Sequence, residues 1–153
     1  MIVACDIDGC LADCREDVRK YLMQTPKNWS EYYKHTKEMP EISSVVNLVR
    51  SLIKDGNDIV FVTGRPESTR EDTKDWLFDT VLVYPFRPPE LLMRQDKDHR
   101  PSWELKLKTF SELKPDLIIE DEPEVVKRAT EVGFTVLQVH GYRITEKDGI
   151  PYV

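Results

Sequence analysis

Asp6 and Asp8 are two carboxylates one residue apart, at the end of the apolar run Ile2-Val3-Ala4-Cys5 and directly before Gly9. Apolar residues ahead of the acids read as a buried strand, and the glycine lets the chain turn sharply where the strand ends. Strand alternation sends both aspartates to one side, with Ile7 opposite. Two like charges this close disfavour each other's ionisation unless something positive sits between them. Oxygen ligands of this kind suit a divalent cation, most of all Mg²⁺. The competing reading is a pair of solvated acids in a surface turn, and the rest of the chain decides between the two.

Further chemistry-bearing residues follow other apolar runs. Thr63-Gly64-Arg65 ends one run, Glu120-Asp121 ends another, and Lys106 falls in a helical segment between them. Asp6, Asp8 and Asp121 can supply three oxygen ligands, with waters completing an octahedron around Mg²⁺. Thr63 can donate a hydroxyl hydrogen bond, and Lys106 supplies a point charge. Metal, hydroxyl and ammonium around a space of phosphate size form the electrostatic cradle that phosphoryl transfer needs, because its transition state spreads charge over equatorial oxygens. An aspartate can then act as covalent nucleophile. A carboxylate two residues on can protonate the leaving oxygen and later take a proton from the attacking water. Asp6, nearer the strand, is the expected nucleophile, and Asp8 the expected acid/base.

These residues need elements to hold them. Arg15 to Met23 reads as a helix with Val18, Tyr21 and Leu22 as its stripe, ended by Pro26. Residues 27–40 are irregular and carry Trp29, Tyr32, Tyr33 and His35. With the helix before them they make a small flap of about residues 14–40 over the first strand. Its aromatics either stack on a base or anchor the loop to the core. Pro40-Glu41 opens an amphipathic helix (Ile42, Val45, Val46, Val49, Leu52, Ile53) stopped by Gly56. A strand at 58–62 and a helix to Phe78 follow. Thr80 to Tyr84 reads as the third strand and Phe86 to Pro101 as a Pro-rich basic loop. A helix from Pro101 to Leu113, a strand at 116–119, a helix from Pro123 through Val132 and a strand at 134–139 complete the pattern. The tail 140–153 reads as an extension, a hairpin or a lid. Continuous apolar runs alternating with helices predict an α/β fold, a parallel sheet with helices on both faces. In such sheets ligands bind beyond the C-terminal strand ends, where strand order reverses.

The chain has 153 residues, the size of one domain spanning 1–153. A formal net charge of −6 argues against a nucleic-acid-coating role but leaves room for a local basic site. No apolar run approaches membrane-spanning length, and no basic start precedes an apolar signal core, so a cytoplasmic location away from any membrane is expected. Cys5, Cys10 and Cys14 are an odd number in such a chain, which argues against a disulfide framework. Zinc is disfavoured too, since no CxxC pair or neighbouring histidine is present. Cys5 reads as a small buried strand residue, and Cys10 and Cys14 as inert small residues.

Asp6-Ile7-Asp8-Gly9-Cys10-Leu11, Thr63-Gly64-Arg65, a downstream lysine and Glu120-Asp121 resemble, in order, the four motifs of the haloacid dehalogenase-like (HAD) superfamily. The resemblance implies a three-layer αβα Rossmann-like sandwich, a five-stranded parallel sheet of order 5-4-1-2-3 with a minimal cap insert, and an aspartyl-phosphate intermediate. It implies Mg²⁺ held by Asp6, by Asp8 through its backbone carbonyl, by Asp121 and by Glu120. Arg94, Asp98, Arg100 and Lys106 are more narrowly similar to the R-x3-D-x-R-x5-K arrangement of the 3′-phosphatase domain of bacteriophage-type polynucleotide kinase–phosphatase. That match makes Lys106, rather than Lys108, the motif lysine. It makes Gly64, Arg65, Arg94 and Arg100 candidate substrate contacts. No GxxxxGK[ST] occurs, which implies a stand-alone phosphatase. Cys10 stands where the superfamily usually has threonine, Glu120 where the narrower family usually has aspartate, and Ser102-Trp103 where it has acidic residues.

The leading expectation is a Mg²⁺-dependent phosphomonoesterase acting on the 3′-phosphate of a polynucleotide end or nucleotide, with no obligate protein partner. A phosphatase of small nucleoside monophosphates or other metabolites is the alternative, favoured by the acidic charge. A third reading is a phospho-accepting or metal-binding module without turnover, disfavoured because such a module has no need of a leaving-group acid. The mixed charges around Arg94 and Lys97 also suit a solvated surface loop.

Overall fold

The computed structural model describes residues 1–82 and 89–143. Its centre is a five-stranded parallel sheet of order β3-β2-β1-β4-β5, built from β1 (Ile2–Cys5), β2 (Asp58–Pro66), β3 (Glu90–Arg94), β4 (Leu117–Glu120) and β5 (Val136–Gln138). Read from the other edge this is the expected order 5-4-1-2-3. β1 is buried almost throughout because it lies between β2 and β4 with helices on both faces.

Strand alternation sorts the core into two layers. Val3, Cys5 and Phe61 join Val46 and Val49 of α3 (Ser43–Lys54) and Trp76 and Leu77 of α4 (Arg70–Thr80). Ala4, Val60, Val62 and Ile118 face Phe110 of α5 (Ser102–Leu113) and Val125 and Ala129 of α6 (Pro123–Glu131). The result is the three-layer αβα sandwich. Strand order reverses about β1, so its C-terminal end, flanked by those of β2 and β4, is the natural ligand crevice.

The third strand differs from the sequence expectation. Thr80 is the last residue of α4, and Val81 follows it into the core, four residues after Leu77 on the same apolar stripe. Residues 83–84 lie outside the described residues. The strand is instead Glu90–Arg94, within the stretch expected to be a basic loop. Only Leu91 of β3 is buried, as suits an edge strand with one face to solvent. An apolar run was therefore the wrong signal for it.

Between β1 and α3 the chain makes α1 (Arg15–Asp17), a π-helical turn, α2 (Trp29–Lys34) and a 3-10 turn at Thr36–Glu38. Leu22, Tyr32 and Met39 bury themselves in the α3–α4 layer. The indole of Trp76 donates to the Met39 carbonyl at 2.8 Å, fixing the end of this insert to α4. The tail expectation falls on residues mostly outside the described ones. Among the described residues no helix is long and apolar enough to cross a membrane.

Candidate active site

The turn after β1 is wound around one carbonyl. The Ile7 oxygen accepts the amides of Cys10, Leu11 and Ala12 at 3.2, 2.8 and 2.9 Å, and Gly9 N–H donates to Ala12. Gly9 has φ +84°, and a Cβ there would stand 2.6 Å from Cγ of Asp121. Glycine is thus required twice, for the left-handed backbone and for the approach of the facing carboxylate. Asp6 N–H donates to the Ile119 carbonyl at 3.0 Å, locking the end of β1 to β4. Asp6 is buried, and Asp8 reaches into the crevice.

Three carboxylates and one lysine meet at the floor. Lys106, on the second turn of α5, places Nζ 3.0 Å from Asp6 Oδ1 and 2.7 Å from Glu120 Oε2. Glu120 Oε1 accepts the amides of Asp121 and Glu122, each at 3.1 Å. Glu120, expected as a metal ligand, is instead engaged by the protein through both oxygens and is not among the residues lining the cavity. Ligand atoms of Asp6, Cys10 and Asp121 lie within 4.8 Å of one another. Burial, then the nearby Glu120, pushes the Asp6 carboxyl up to about 7, although Lys106 pulls it down. Burial, with Glu120 and Asp6, holds Asp121 well above the carboxylate range. Burial opposes the charge on Lys106, but Asp6 and Glu120 outweigh it and push its pKa up. Three buried carboxylates thus face one buried ammonium, and Arg143 NH1 approaches Asp121 only to 3.5 Å. A hard divalent cation fits this deficit of positive charge, with oxygen donors on Asp6 and Asp121 to hold it.

The end of β2 supplies the opposite wall. The β2–β3 register shifts between Thr63 and Pro66, leaving Gly64 and Arg65 unpaired in a bulge. Thr63 is buried, and its Oγ1 accepts the Arg65 amide at 3.2 Å. The Arg65 guanidinium turns inward, donating to both Asp8 oxygens and to Thr73. Arg94, at the end of β3, donates through Nε to the Gly64 carbonyl at 3.0 Å.

These groups line a cavity of about 570 Å³ that collects Asp6, Asp8, Thr63, Gly64, Arg65, Arg94, Lys106 and Asp121. Arg100 is not brought to it; its side chain is exposed and wraps Asp98 at 2.6 Å. Sequence reasoning missed Arg143, Lys27, Ser102 and Glu122, which line the cavity from scattered positions. Lys27 and Arg143 belong to no run of fixed spacing, so sequence carries no signal for them, whereas Ser102 lies inside the Arg94–Lys106 run and Glu122 directly follows Glu120-Asp121. Trp29, Tyr32 and Tyr33 of the flap also line it.

A family model for the phosphatase domain of polynucleotide kinase PNKP matches residues 1–142. A search of the curated proteins found no match. Among solved structures, a chain of the Pnkp1/Rnl/Hen1 RNA repair complex superposes with a TM-score of 0.68 at 22% identity. The superposition covers 90% of the present chain and 42% of that one, so the present chain spans less than half the length of that relative. The tungstate-bound class C acid phosphatase of Bacillus anthracis gives 0.62 at 14% identity, over 90% and 66% of the two chains. D,D-heptose 1,7-bisphosphate phosphatase of B. bronchiseptica, complexed with magnesium and phosphate, gives 0.59 at 11%, over 90% and 79%. At these identities the structures speak to the fold, while the family match speaks to descent. The chain is a HAD phosphatase, a phosphoric monoester hydrolase belonging to the family of the polynucleotide kinase PNKP phosphatase domain.

Proposed function

We propose that the protein is a Mg²⁺-dependent phosphomonoesterase that removes the 3′-phosphate of a polynucleotide end or nucleotide through an aspartyl-phosphate on Asp6. The observation that carries this reading is the buried Asp6–Lys106 contact of 3.0 Å beside Asp121, with Asp8 held at the same cavity floor. Asp6 and Asp121 would hold the cation, and the Asp8 carbonyl is the third expected donor. When bound it would supply charge stabilisation for the phosphoryl oxygens.

The chain's own residues account for the remaining chemistry. Asp6 attacks phosphorus as the ester P–O bond breaks, and Asp8 delivers its proton to the departing oxygen. Water then attacks the acyl phosphate, Asp8 takes the water's proton, and inorganic phosphate leaves with Asp6 restored. Lys106 keeps one Asp6 oxygen neutralised and stands ready for a phosphoryl oxygen. Thr63 Oγ1, already accepting from Arg65, has its hydroxyl proton to offer the same group. Arg94 and the flap aromatics at the cavity wall suit a nucleotide leaving group.

The test is phosphate release from 3′-phosphorylated oligonucleotides, nucleoside 3′- and 5′-monophosphates and sugar phosphates, with and without Mg²⁺. Mg²⁺-dependent release favouring 3′-phosphates, abolished by Asp6→Asn, is expected. Preference for sugar phosphates or 5′-monophosphates would replace the substrate assignment, and no release from any of them would replace the reaction.

A further inference from the structure

A second cavity of about 460 Å³ adjoins the catalytic one, bounded by the flap on one side and by Pro66 and the 95–100 loop on the other. Trp29, Tyr33 and Arg94 belong to the walls of both. We propose that this second cavity is a nucleotide subsite, in which the base preceding the 3′-phosphorylated nucleotide stacks on Trp29, so that the protein engages at least two nucleotides of a single strand. The inference rests on the reading of the protein as a phosphatase of polynucleotide 3′ ends.

The aromatic wall is built as a platform. Trp29 stacks on Tyr33 with ring centres 5.6 Å apart and planes at 24°. Tyr33 meets Tyr32 edge-on at 5.5 Å, and Tyr32 is 4% exposed, rooted in the core. Asn28 accepts the Glu31 amide at 3.1 Å, capping α2 where Trp29 is its first residue. The rings are thereby held from beneath, yet Trp29 itself is 46% exposed. A rigid, half-exposed indole facing a cavity is the surface on which any base can stack, because every base has a π-face.

The charges fit a strand crossing from one cavity to the other. Arg94 is fixed at the junction by the carbonyls of Gly64, Asp98 and Arg100 at 3.0, 3.0 and 2.6 Å. Its guanidinium therefore stands where the phosphodiester between the two nucleotides would pass. The acids of the loop are engaged: Asp98 pairs with Arg100, and Asp96 accepts the Ser68 amide. Exposed Lys97 forms no ion pair among the described residues and remains for a phosphate. A chain of net charge −6 has little long-range attraction for nucleic acid, so a stacking contact has to supply affinity that general electrostatics does not.

The experiment compares 3′-phosphorylated mononucleosides, dinucleotides and trinucleotides by kcat/KM, and by Kd on the Asp6→Asn protein. The dinucleotide is expected to exceed the mononucleoside by about tenfold in both readouts, the worth of one stacked base, with little more from the trinucleotide. Trp29→Ala should remove most of that ratio, and Trp29→Phe, which keeps an aromatic face, should retain most of it. Equal values for the two ligands, or a ratio untouched by Trp29→Ala, would overturn the subsite. A tenfold ratio in binding without turnover of any ligand would uphold the subsite and sink the phosphatase reading of 3′ ends.

Discussion

Arg65 grips Asp8 by both carboxylate oxygens, with Nε 2.9 Å from Oδ2 and NH2 2.6 Å from Oδ1. The Arg65 side chain has no exposed surface, while Asp8 keeps 22% of its own. NH1 is tied at 3.2 Å to Thr73 on α4. The proposed acid/base is thus oriented from behind by a planar fork that is itself anchored in the helix layer. A lysine has the charge but not the fork. Arg65→Lys should slow hydrolysis of alkyl phosphates about 100-fold, the worth of a general acid. p-Nitrophenyl phosphate, whose leaving group needs no proton, should be slowed far less. Equal losses on both substrates would sink the positioning role. Arg65→Ala should also cost about 3 kcal/mol of stability in urea unfolding, since it strands a partly buried carboxylate.

Asp6→Asn separates chemistry from stability. Phosphate release should fall to background, because no carboxylate remains to form the acyl phosphate. Metal-free stability near pH 8 should equal or exceed that of the unsubstituted protein, because the variant removes a charge that burial and Glu120 disfavour. Thermal melts and a phosphate assay on the same preparation check both halves. A variant that is both less stable and still active would contradict the assignment.

The raised carboxyls make metal-free stability depend on pH in a definite direction. Asp6 titrates near 7 in the folded chain against an ordinary value of 3.8, so the folded state holds its proton more tightly. That contribution is fully present below the ordinary value and is lost as pH rises through about 7. Asp121 shifts the same way. With EDTA present, this pair should lower Tm between pH 5 and pH 8. Added Mg²⁺ competes with protons for the same oxygens, so it should raise Tm more at pH 8 than at pH 5. An equal rise at both values would mean that the ion binds elsewhere.

Lys106 and Lys108 lie two residues apart and should behave in opposite ways. Lys106 is 5% exposed between Asp6 and Glu120, whereas Lys108 faces solvent. Lys106→Ala should abolish turnover and cost about 3–5 kcal/mol, because it leaves buried carboxylates unpaired. Lys108→Ala should change stability by less than about 0.5 kcal/mol, as exposed substitutions do, with turnover retained. Chemical unfolding and single-turnover kinetics on the pair decide it. The reverse order would place the motif lysine at 108.

What could be read from the sequence depended on how much each residue's type was forced. Gly9 has to be glycine, and Asp6 and Asp8 have to follow a strand buried on both faces, so that stretch was legible from the residues alone. Lys106 was legible by spacing, and its place on the helix agrees: Trp103 and Phe110, three before and four after, lie on the same core-facing stripe. β3 was misplaced because an edge strand buries one residue and leaves no apolar run, while Val81 belongs to the end of α4. Glu120 was expected among the metal ligands, but a carboxylate saturated by Lys106 and two amides looks the same in sequence as one that is free. Arg100, spaced as a substrate contact, folds onto Asp98 just two residues away. Such local pairing is decided by loop geometry, which spacing does not encode.

The position of β1 has a consequence for how the enzyme comes into being. β1 leads directly into Asp6 and Asp8, yet its neighbours begin at Asp58 and Leu117, and the Asp6 amide is fixed by the Ile119 carbonyl. Contacts this far apart in sequence form late and slowly. In order of synthesis Asp6 precedes both segments that flank its strand, so it waits for β2 and β4 to be made. A nascent chain that stops short of β4 has neither Asp121 nor the bond that squares Asp6 to the crevice. The crevice around Asp6 is therefore assembled in one step, when β4 docks, rather than piece by piece along the chain.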